Sequence, residues 1–486
     1  MLMISKNIRI YNTLSGKKEL LKPLKGKKIN LFVCGPTVYD FAHIGHARTD
    51  VIFDCFAKYL KYLGFDVFYL QNITDVDDKI IAKAREKGVA PKDLAVAFEV
   101  EHLKDMKLLG ITSVKKYARA TDYIPQIISQ VQRLAEKGFA YRLDDGMYFD
   151  IGKFKNYGKL SGRTSLEAED AVSRIDYSQN KKNRGDFCVW KFNEGSDGAA
   201  LSTDRASLAP EKGREPSWPS PFGQGRPGWH IEDTAITETF FGAQYDIHGG
   251  GRDLMFPHHE AEISLMETIS GKKPLARYWM HTGFLTINEQ KMSKSLNNSV
   301  VISAFLKRYS VQQLRFWIAK NLWRSPMNYS DATMLEIRSA LEKIEEFLRK
   351  LKGLKVKGKI SPVNVKKYTG AFWKALADDF NTPKAFAVIF DMIKAANTAL
   401  DKNALGRKDA SSMYDFFMAI NKIFNIIDTK KLKGPQVPAE VKKLVQDRQL
   451  ARKNQEWALS DQLRLEIEKY GYIIQDSPSG PIIKKM

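Results

Sequence analysis

Leu31-Phe-Val-Cys-Gly-Pro-Thr-Val-Tyr-Asp-Phe-Ala-His-Ile-Gly-His-Ala-Arg48 decides how this 486-residue chain folds. A short apolar strand over residues 29–33 breaks at Gly35-Pro36. The helix that follows carries apolar residues at Val51, Ile52, Cys55, Phe56, Tyr59, Leu60 and Leu63 and stops at Gly64. That three-and-four spacing is the pattern of a helix packed on a sheet. His43-Ile-Gly-His46 therefore falls at a strand-to-helix junction, where backbone N–H groups and the helix dipole favour a phosphate. Gly45 lets a nucleotide lie close to the backbone while two imidazoles reach its phosphates. Two surface histidines at a helix cap would give the same pattern, so this stretch alone is a weak signal. A second strand over 66–73 completes β-α-β, the start of a parallel nucleotide-binding sheet with ligands at the strand C-terminal ends. It brings Asn72-Ile-Thr-Asp75 to the same rim.

Lys291-Met-Ser-Lys-Ser295 lies far downstream in a polar, Asn-rich stretch. Two lysines and two hydroxyls on a loop able to move suit a transient cluster of negative charge, such as a triphosphate being cleaved to pyrophosphate. A Lys/Ser loop by itself is more often a solvated turn. In this order, after a strand and His-Ile-Gly-His, the pair resembles the signature of class I aminoacyl-tRNA synthetases.

Composition bounds the rest. Hydrophobic content is 43 % and charged content 27 %, the balance of a globular chain whose length allows two to four domains. Lys and Arg outnumber Asp and Glu by 77 to 56, a formal charge of +21, which points to a polyanionic partner, nucleic acid first. Neither a signal-peptide core at the N-terminus nor an apolar run of ~18 residues is present, so no membrane partner is expected. Three cysteines, Cys34, Cys55 and Cys188, exclude a disulfide framework and fit a reducing cytoplasm.

Along the chain, residues 1–28 read as a basic lead-in strand. Residues 90–138 read as helical, with Asp122 as a cap. Residues 140–151 read as a hairpin turning at Asp144-Asp145-Gly146. A subdomain inserted at about 94–200 is expected to interrupt the sheet, and 193–213, rich in Gly, Ala and Ser, reads as a flexible excursion. Tyr245-Asp-Ile-His-Gly-Gly-Gly251 reads as strand then glycine turn, and Pro257 opens a helix. From Val311 the chain reads as all-helical, with Met334, Ile337, Leu341, Ile344, Phe347, Leu348 and Leu351 on one buried face.

Two further groups of residues carry chemistry. In Pro257-His-His-Glu-Ala-Glu262, His258 and Glu262 stand four apart on one helix face, a spacing that is usually structural. Cys34 ends the first strand at the same rim, and thiolate, imidazole and carboxylate there would suit Zn²⁺. Near the C-terminus, 448–469 reads as a basic amphipathic stretch. Trp457 and Asp461 stand one turn apart there, flanked by Arg452 and Arg464, as a seat for an unstacked RNA base or as the anchor of a small helical unit.

Cys34-Gly-Pro-Thr-Val-Tyr-Asp40, Asn72-Ile-Thr-Asp75, Arg226-Pro-Gly-Trp-His-Ile-Glu232, Asp246-Ile-His-Gly-Gly-Gly251, Asp253-Leu-Met-Phe-Pro-His-His-Glu260 and Asp378-Asp-Phe-Asn-Thr-Pro383 narrow the resemblance. In this order they are similar to the blocks of the cysteinyl-tRNA synthetase family, over nearly the whole chain. The resemblance implies zinc ligands at Cys34, Asp233, His258 and Glu262, and a substrate pocket at Thr74, Trp229 and Asp253. It implies anticodon contacts at Arg452, Trp457, Asp461 and Asp476. The family usually carries cysteine where this chain has Asp233, an exchange of a soft ligand for a hard one at constant charge. Cys55 and Cys188 lie in apolar runs and read as core.

The expectation is an α/β chain: a Rossmann-like catalytic domain over 1–310, a helical bundle over 311–430 and an anticodon-binding unit over 431–486. It would activate cysteine with ATP and Mg²⁺ to cysteinyl-AMP and pyrophosphate, then pass cysteine to the 3′ end of tRNA(Cys). His43, Gly45, His46 and Lys294 would hold ATP. His43, His46, Lys291 and Lys294 would stabilise phosphate charge in the transition state, with no general base required. A cytoplasmic monomer is expected. The rivals are a cysteine-adenylating ligase acting on an amino-sugar and a non-catalytic tRNA-binding paralogue.

Overall fold

The structure, a computed structural model, describes residues 7–163, 180–193, 215–292, 298–354, 362–433, 438–476 and 481–485. The lead-in is a hairpin of β1 (Arg9–Asn12) and β2 (Lys17–Leu20) rather than one strand. The β-α-β unit follows as β3 (Lys28–Val33), α1 (Ile44–Tyr62) and β4 (Asp66–Ile73), with β3 and β4 parallel. α1 buries Val51, Ile52, Phe53, Phe56 and Leu60 on the sheet. Each such side chain contributes about 1.5–3 kcal/mol of transfer free energy, which is what fixes the helix there.

Next come α2 (Asp78–Lys87), α3 (Pro91–Leu108), β5 (Lys116–Arg119) and α4 (Ile124–Glu136). β5 corrects two expectations. It breaks the helical reading of 90–138, and it pairs parallel with β4 as an edge of the main sheet, so the insertion does not begin near residue 94. Asp122 sits in a single 3₁₀ turn and caps no helix. The inserted sheet is antiparallel: β6 (Ala140–Leu143), β7 (Gly146–Phe149), β8 (Phe187–Phe192) and β9 (Gly225–Pro227) in that order, with the first hairpin turning at Asp144-Asp145. The 193–213 excursion lies, apart from Asn193, outside the described residues.

α5 (Ile231–Phe241), β10 (Tyr245–Gly251), α6 (Glu260–Ser270) and β11 (Ala276–Thr282) return the chain to the main sheet. Its order is β11-β10-β3-β4-β5, parallel throughout. The glycines 249–251 belong to β10, pairing with Met280, His281 and Thr282, and do not form a turn. A Cβ on Gly249 would collide with the Phe53 ring of α1, and one on Gly250 would stand 2.6 Å from His259 Cε1.

β12 (Leu285–Ile287), β13 (Gln290–Lys291), α7 (Ile302–Arg308), α8 (Val311–Ala319) and β14 (Met327–Tyr329) follow, the strands forming a small sheet of order β13-β12-β14. β14 interrupts the stretch read as all-helical, because its three residues are too few to show a period of two. α9 (Asp331–Gly353), α10 (Val365–Ala377), α11 (Thr382–Asp401) and α12 (Arg407–Phe424) are helical as expected. The stripe from Met334 to Leu351 is buried at every position named from the sequence. The C-terminal stretch is two helices, α13 (Ala439–Lys453) and α14 (Trp457–Lys469), then the hairpin β15 (Tyr472–Gln475) and β16 (Ile482–Lys485). The break falls at Gln455, whose φ of 66° no helix tolerates. Among the described residues no helix is long and apolar enough to cross a membrane.

Two compact units result: Met1–Arg338 with Asn364–Met392 and Ala419–Ile426, and Ser339–Val363 with Ile393–Met418 and Ile427–Met486. This division differs from a bundle domain over 311–430. In the first unit Asp379 accepts from Tyr11 N (2.8 Å) and Arg324 Nε (2.8 Å), and Trp323 Nε1 donates to its carbonyl (3.0 Å). Arg315 of α8, fully buried, donates to Asp54 of α1 (2.8 Å), Leu109 O (3.0 Å) and Phe424 O (2.6 Å). These ties join 364–392 to β1 and to residues 323 and 324, and 419–426, through Arg315, to α1. The second unit has a separate small core of Val441, Val445, Ile467, Tyr472 and Ile474.

Candidate active site

His43 is the N-cap of α1, with extended φ and ψ. Its Nδ1 accepts the N–H of Gly45 (3.2 Å) and of His46 (3.4 Å), and His46 Nδ1 accepts the N–H of His43 (3.2 Å). The rings stack at 3.8 Å. An imidazole whose Nδ1 accepts carries its proton on Nε2 when neutral, so this reciprocal cap fixes both tautomers as Nε2–H donors. It also changes the sequence reading. The first-turn N–H groups expected to face a phosphate are engaged, Ile44 N–H with Val300 O (2.9 Å) and the others with His43. Those N–H groups are therefore not open donors for an anion.

Gly45 is needed for close approach: a Cβ there would lie 2.7 Å from Met292 Cε and 2.9 Å from the His43 ring. Met292 precedes and Val300 follows the segment 293–297, so both flanks of Lys291-Met-Ser-Lys-Ser295 reach the histidine turn. Lys291 ends β13, and Lys294 lies outside the described residues. Arg48, buried one turn further along α1, donates to Phe284 O (2.7 Å), Trp323 O (3.2 Å) and Ser325 O, and burial pulls its pKa down to about 10.

The second group converges from three stretches of the chain. His258 Nε2 stands 3.6 Å from Cys34 Sγ, 3.1 Å from Asp233 Oδ2 and 3.4 Å from Glu262 Oε1. All four side chains are buried. Asp233 Oδ1 and both oxygens of Glu262 have no hydrogen-bond partner. Unpaired buried carboxylate oxygens are costly, and a divalent cation among them would satisfy all of them together. Burial, reinforced by Asp233 and Glu262, pushes the Cys34 thiol well up, and burial with Asp233 does the same to Glu262. A bound cation reverses that balance, so the donor set fits Zn²⁺.

His258 Nδ1 lies 2.9 Å from His230 Nδ1. Burial drives the His230 pKa far down, which leaves it a neutral acceptor for the Nδ1–H that His258 would carry if its Nε2 bound a metal. Trp229 stacks on His258 (4.3 Å), and Thr74 donates to Glu232 (3.1 Å), the neighbour of Asp233. Two of the three expected pocket residues are therefore tied to this cluster. Asp253 stands exposed on the turn after β10, within electrostatic reach of Cys34. His248 and His259, which sequence reasoning missed, also fall within ligand distance of Glu262. No spacing signals them: one lies in a glycine-rich strand, and the other is masked by its neighbour His258. Cys55 and Cys188 are core, as expected.

In the C-terminal unit Trp457 is 58 % exposed, too open for an anchor. The Arg452 guanidinium lies 5.9 Å from its ring centroid. Both oxygens of Asp476 are engaged, by Arg448 (2.9 and 3.0 Å) and Arg452 (3.0 Å), and the Arg448 hydrogen bonds hold its carboxyl below the usual range. Asp476 thus orients two arginines rather than offering an open acceptor.

The parallel sheet and its strand-to-helix histidine turn place the catalytic fold among class I aminoacyl-tRNA synthetases. Residues 20–339 match the family described as tRNA synthetases class I (C) catalytic domain, 371–428 the DALR domain, and 434–480 the cysteinyl-tRNA ligase anticodon binding domain. A cysteine–tRNA ligase of Thermoplasma volcanium is 42 % identical over 96 % of this chain and 97 % of its own. One from Carboxydothermus hydrogenoformans is 37 % identical over 97 % and 99 %. The chain belongs to the cysteine–tRNA ligase family. Solved structures share the fold at low identity. They include Mycobacterium tuberculosis methionyl-tRNA synthetase with methionyl-adenylate (14 % identity, TM-score 0.59, 84 % of this chain and 93 % of that one). The ternary complex of Agrobacterium radiobacter K84 LeuRS, tRNA and LeuAMS is another (12 %, TM-score 0.61, 86 % of each).

Proposed function

We propose that this chain ligates cysteine to tRNA through the histidine turn and the buried thiol–carboxylate cluster, at the rim shared by β3, β4 and β10. The activity is that of its family: ATP-dependent joining of cysteine to tRNA, with tRNA and ATP as partners. In the first step the cysteine carboxylate attacks the α-phosphate of ATP, the bond to the β-phosphate breaks, and pyrophosphate leaves. His43 and His46, as Nε2–H donors, with Lys291 and Lys294, hold the phosphates as charge moves to the leaving oxygen. In the second, the terminal ribose hydroxyl forms the ester, AMP leaves, and the hydroxyl proton passes to the departing phosphate. Positioning and charge stabilisation carry both steps. The convergence of Cys34, Asp233, His258 and Glu262 is the observation that carries this reading. Cysteine-dependent exchange of pyrophosphate into ATP tests it; a chain that activates no amino acid would overturn it.

Zn²⁺ is assigned to those four residues. When bound, it supplies a soft Lewis acid that takes the substrate thiol as thiolate, which a serine hydroxyl cannot match. Thr74, Trp229 and Asp253 line the cysteine pocket. Because Asp233 supplies a hard donor, the site holds zinc less tightly than one with a second thiolate would. Near-stoichiometric zinc is expected in protein purified without chelator, and Asp233→Cys should resist chelator longer. Absence of zinc under replete conditions, with cysteine still activated and serine rejected, removes the metal from recognition.

The unit from residue 431 onward reads the anticodon, with Arg452, Trp457 and Asp461 at its exposed face and Asp476 fixing the arginines. Residues 1–310 carry the chemistry. The chain acts as a cytoplasmic monomer. Trp457→Ala should weaken tRNA aminoacylation by ~1–3 kcal/mol, the worth of one stacked base, and leave exchange intact. A parallel fall in exchange would make Trp457 structural.

A further inference from the structure

Phe41, two residues before His43, is unusual for an aromatic beside an active site: 47 % of its surface is exposed. The ring is nevertheless fixed. Its backbone N–H donates to Asp40 (2.8 Å), and its ring meets that of Phe98 in a T-shaped contact at 5.3 Å and 85°. Phe98 belongs to a packed satellite core with Val38, Ile73, Ile80, Ala84, Leu94 and Ala95. An exposed aromatic held on a rigid base is a platform, and what completes it is charge. Lys87 Nζ lies 5.1 Å from the Phe98 ring, and Lys79 Nζ lies between Tyr39 (5.8 Å) and Trp229 (6.0 Å). Lys79, Arg85 and Lys87 of α2 are exposed, and among the described residues none has an ion-pair partner, whereas Lys83 is paired with Glu86. An aromatic face flanked by cations is the surface that binds single-stranded nucleic acid: bases stack and phosphates meet the charges. An acidic peptide would use the lysines but leave the ring in water.

We propose that Phe41 is the platform on which an unpaired base of the tRNA 3′ end stacks, with Lys87 and Lys79 taking the adjoining phosphates, so that the terminal ribose reaches the adenylate beside His43. Phe41 is thus a positioning residue for the transfer step. The assignment rests on the ligase reading given above. It concerns only the second step, since amino-acid activation needs no RNA.

Two measurements test it. The first is single-turnover transfer of cysteine from preformed adenylate to tRNA, alongside cysteine-dependent exchange. Phe41→Leu should slow transfer by ~10–100-fold with exchange unchanged, and Phe41→Trp should restore transfer. Leucine keeps the apolar contact with Phe98 but lacks a ring face, so transfer at the parent rate with Phe41→Leu would show a mere prop and overturn the proposal. A parallel loss of exchange would do the same. The second measurement needs no activity: 2-aminopurine at the 3′-terminal base of the tRNA should be quenched on binding the parent and not on binding Phe41→Leu. Quenching independent of residue 41 would overturn the platform. A parent without exchange that still shows Phe41-dependent quenching would sink the ligase reading and leave the platform standing.

Discussion

Lys294→Ala is expected to slow cysteine-dependent pyrophosphate exchange by ~10²–10³-fold, the loss typical of removing one donor aimed at developing charge, with cysteine affinity unchanged. The flanks of its segment give the reason. Met292 packs at Gly45, and Val300 O takes the N–H of Ile44, so described residues on both sides of 293–297 lie at the histidine turn. On the proposed function Lys294 acts on the phosphates, whereas the cysteine pocket is assigned to Thr74, Trp229 and Asp253. Equal losses in exchange and cysteine binding would instead assign Lys294 to folding of the turn. A rate within twofold of the parent would remove it from the chemistry.

The other large effect is on stability. Arg315→Met should destabilise the first compact unit by ~3–5 kcal/mol, because it leaves a buried carboxylate short of its partner. Asp54 keeps Lys58 (2.7 Å) and the N–H groups of Thr112 and Ser113 (3.1 Å each), but Leu109 O and Phe424 O lose their donor. The measurement is the denaturant midpoint, with Arg315→Met/Asp54→Asn as control. The double variant should recover part of the loss, since the uncompensated charge is gone. A single variant within about 1 kcal/mol of the parent would show that the pair is energetically neutral.

Much of this could be read from residue types and spacing. β4 runs from Asp66 to Ile73, as its apolar run announces, and the α9 stripe is buried throughout. Where the sequence misled, the physical causes differ. β5 is Lys-Tyr-Ala-Arg, an edge strand too short and too polar for alternation to show. The β10 glycines mimic a turn because glycine marks both turns and close packing. The helix break at Gln455 requires a left-handed backbone that no glycine signals. At the site, Cys34, His258 and Glu262 were legible as chemistry, and Asp233 came only through resemblance. His230, Glu232 and His259 are single polar residues whose role depends on what the fold places beside them. Asp476 was legible as a position but not as a clamp, because its partners lie 24 and 28 residues away.

The glycine run also bears on how this protein can evolve. β10 lies between β11 and β3, with the Phe53 ring against Gly249 on one face and His259 against Gly250 on the other. No side chain can be added at either position without displacing the helix that carries the histidine turn or the histidine cluster beside the thiol site. The floor of the site is therefore closed to retuning by single substitutions. On the proposed function, drift toward a larger or smaller amino acid would have to come through the pocket assigned to Thr74, Trp229 and Asp253, of which Trp229 is half-buried and Asp253 exposed. Variants selected for altered amino-acid preference should accumulate there and leave residues 249 and 250 untouched.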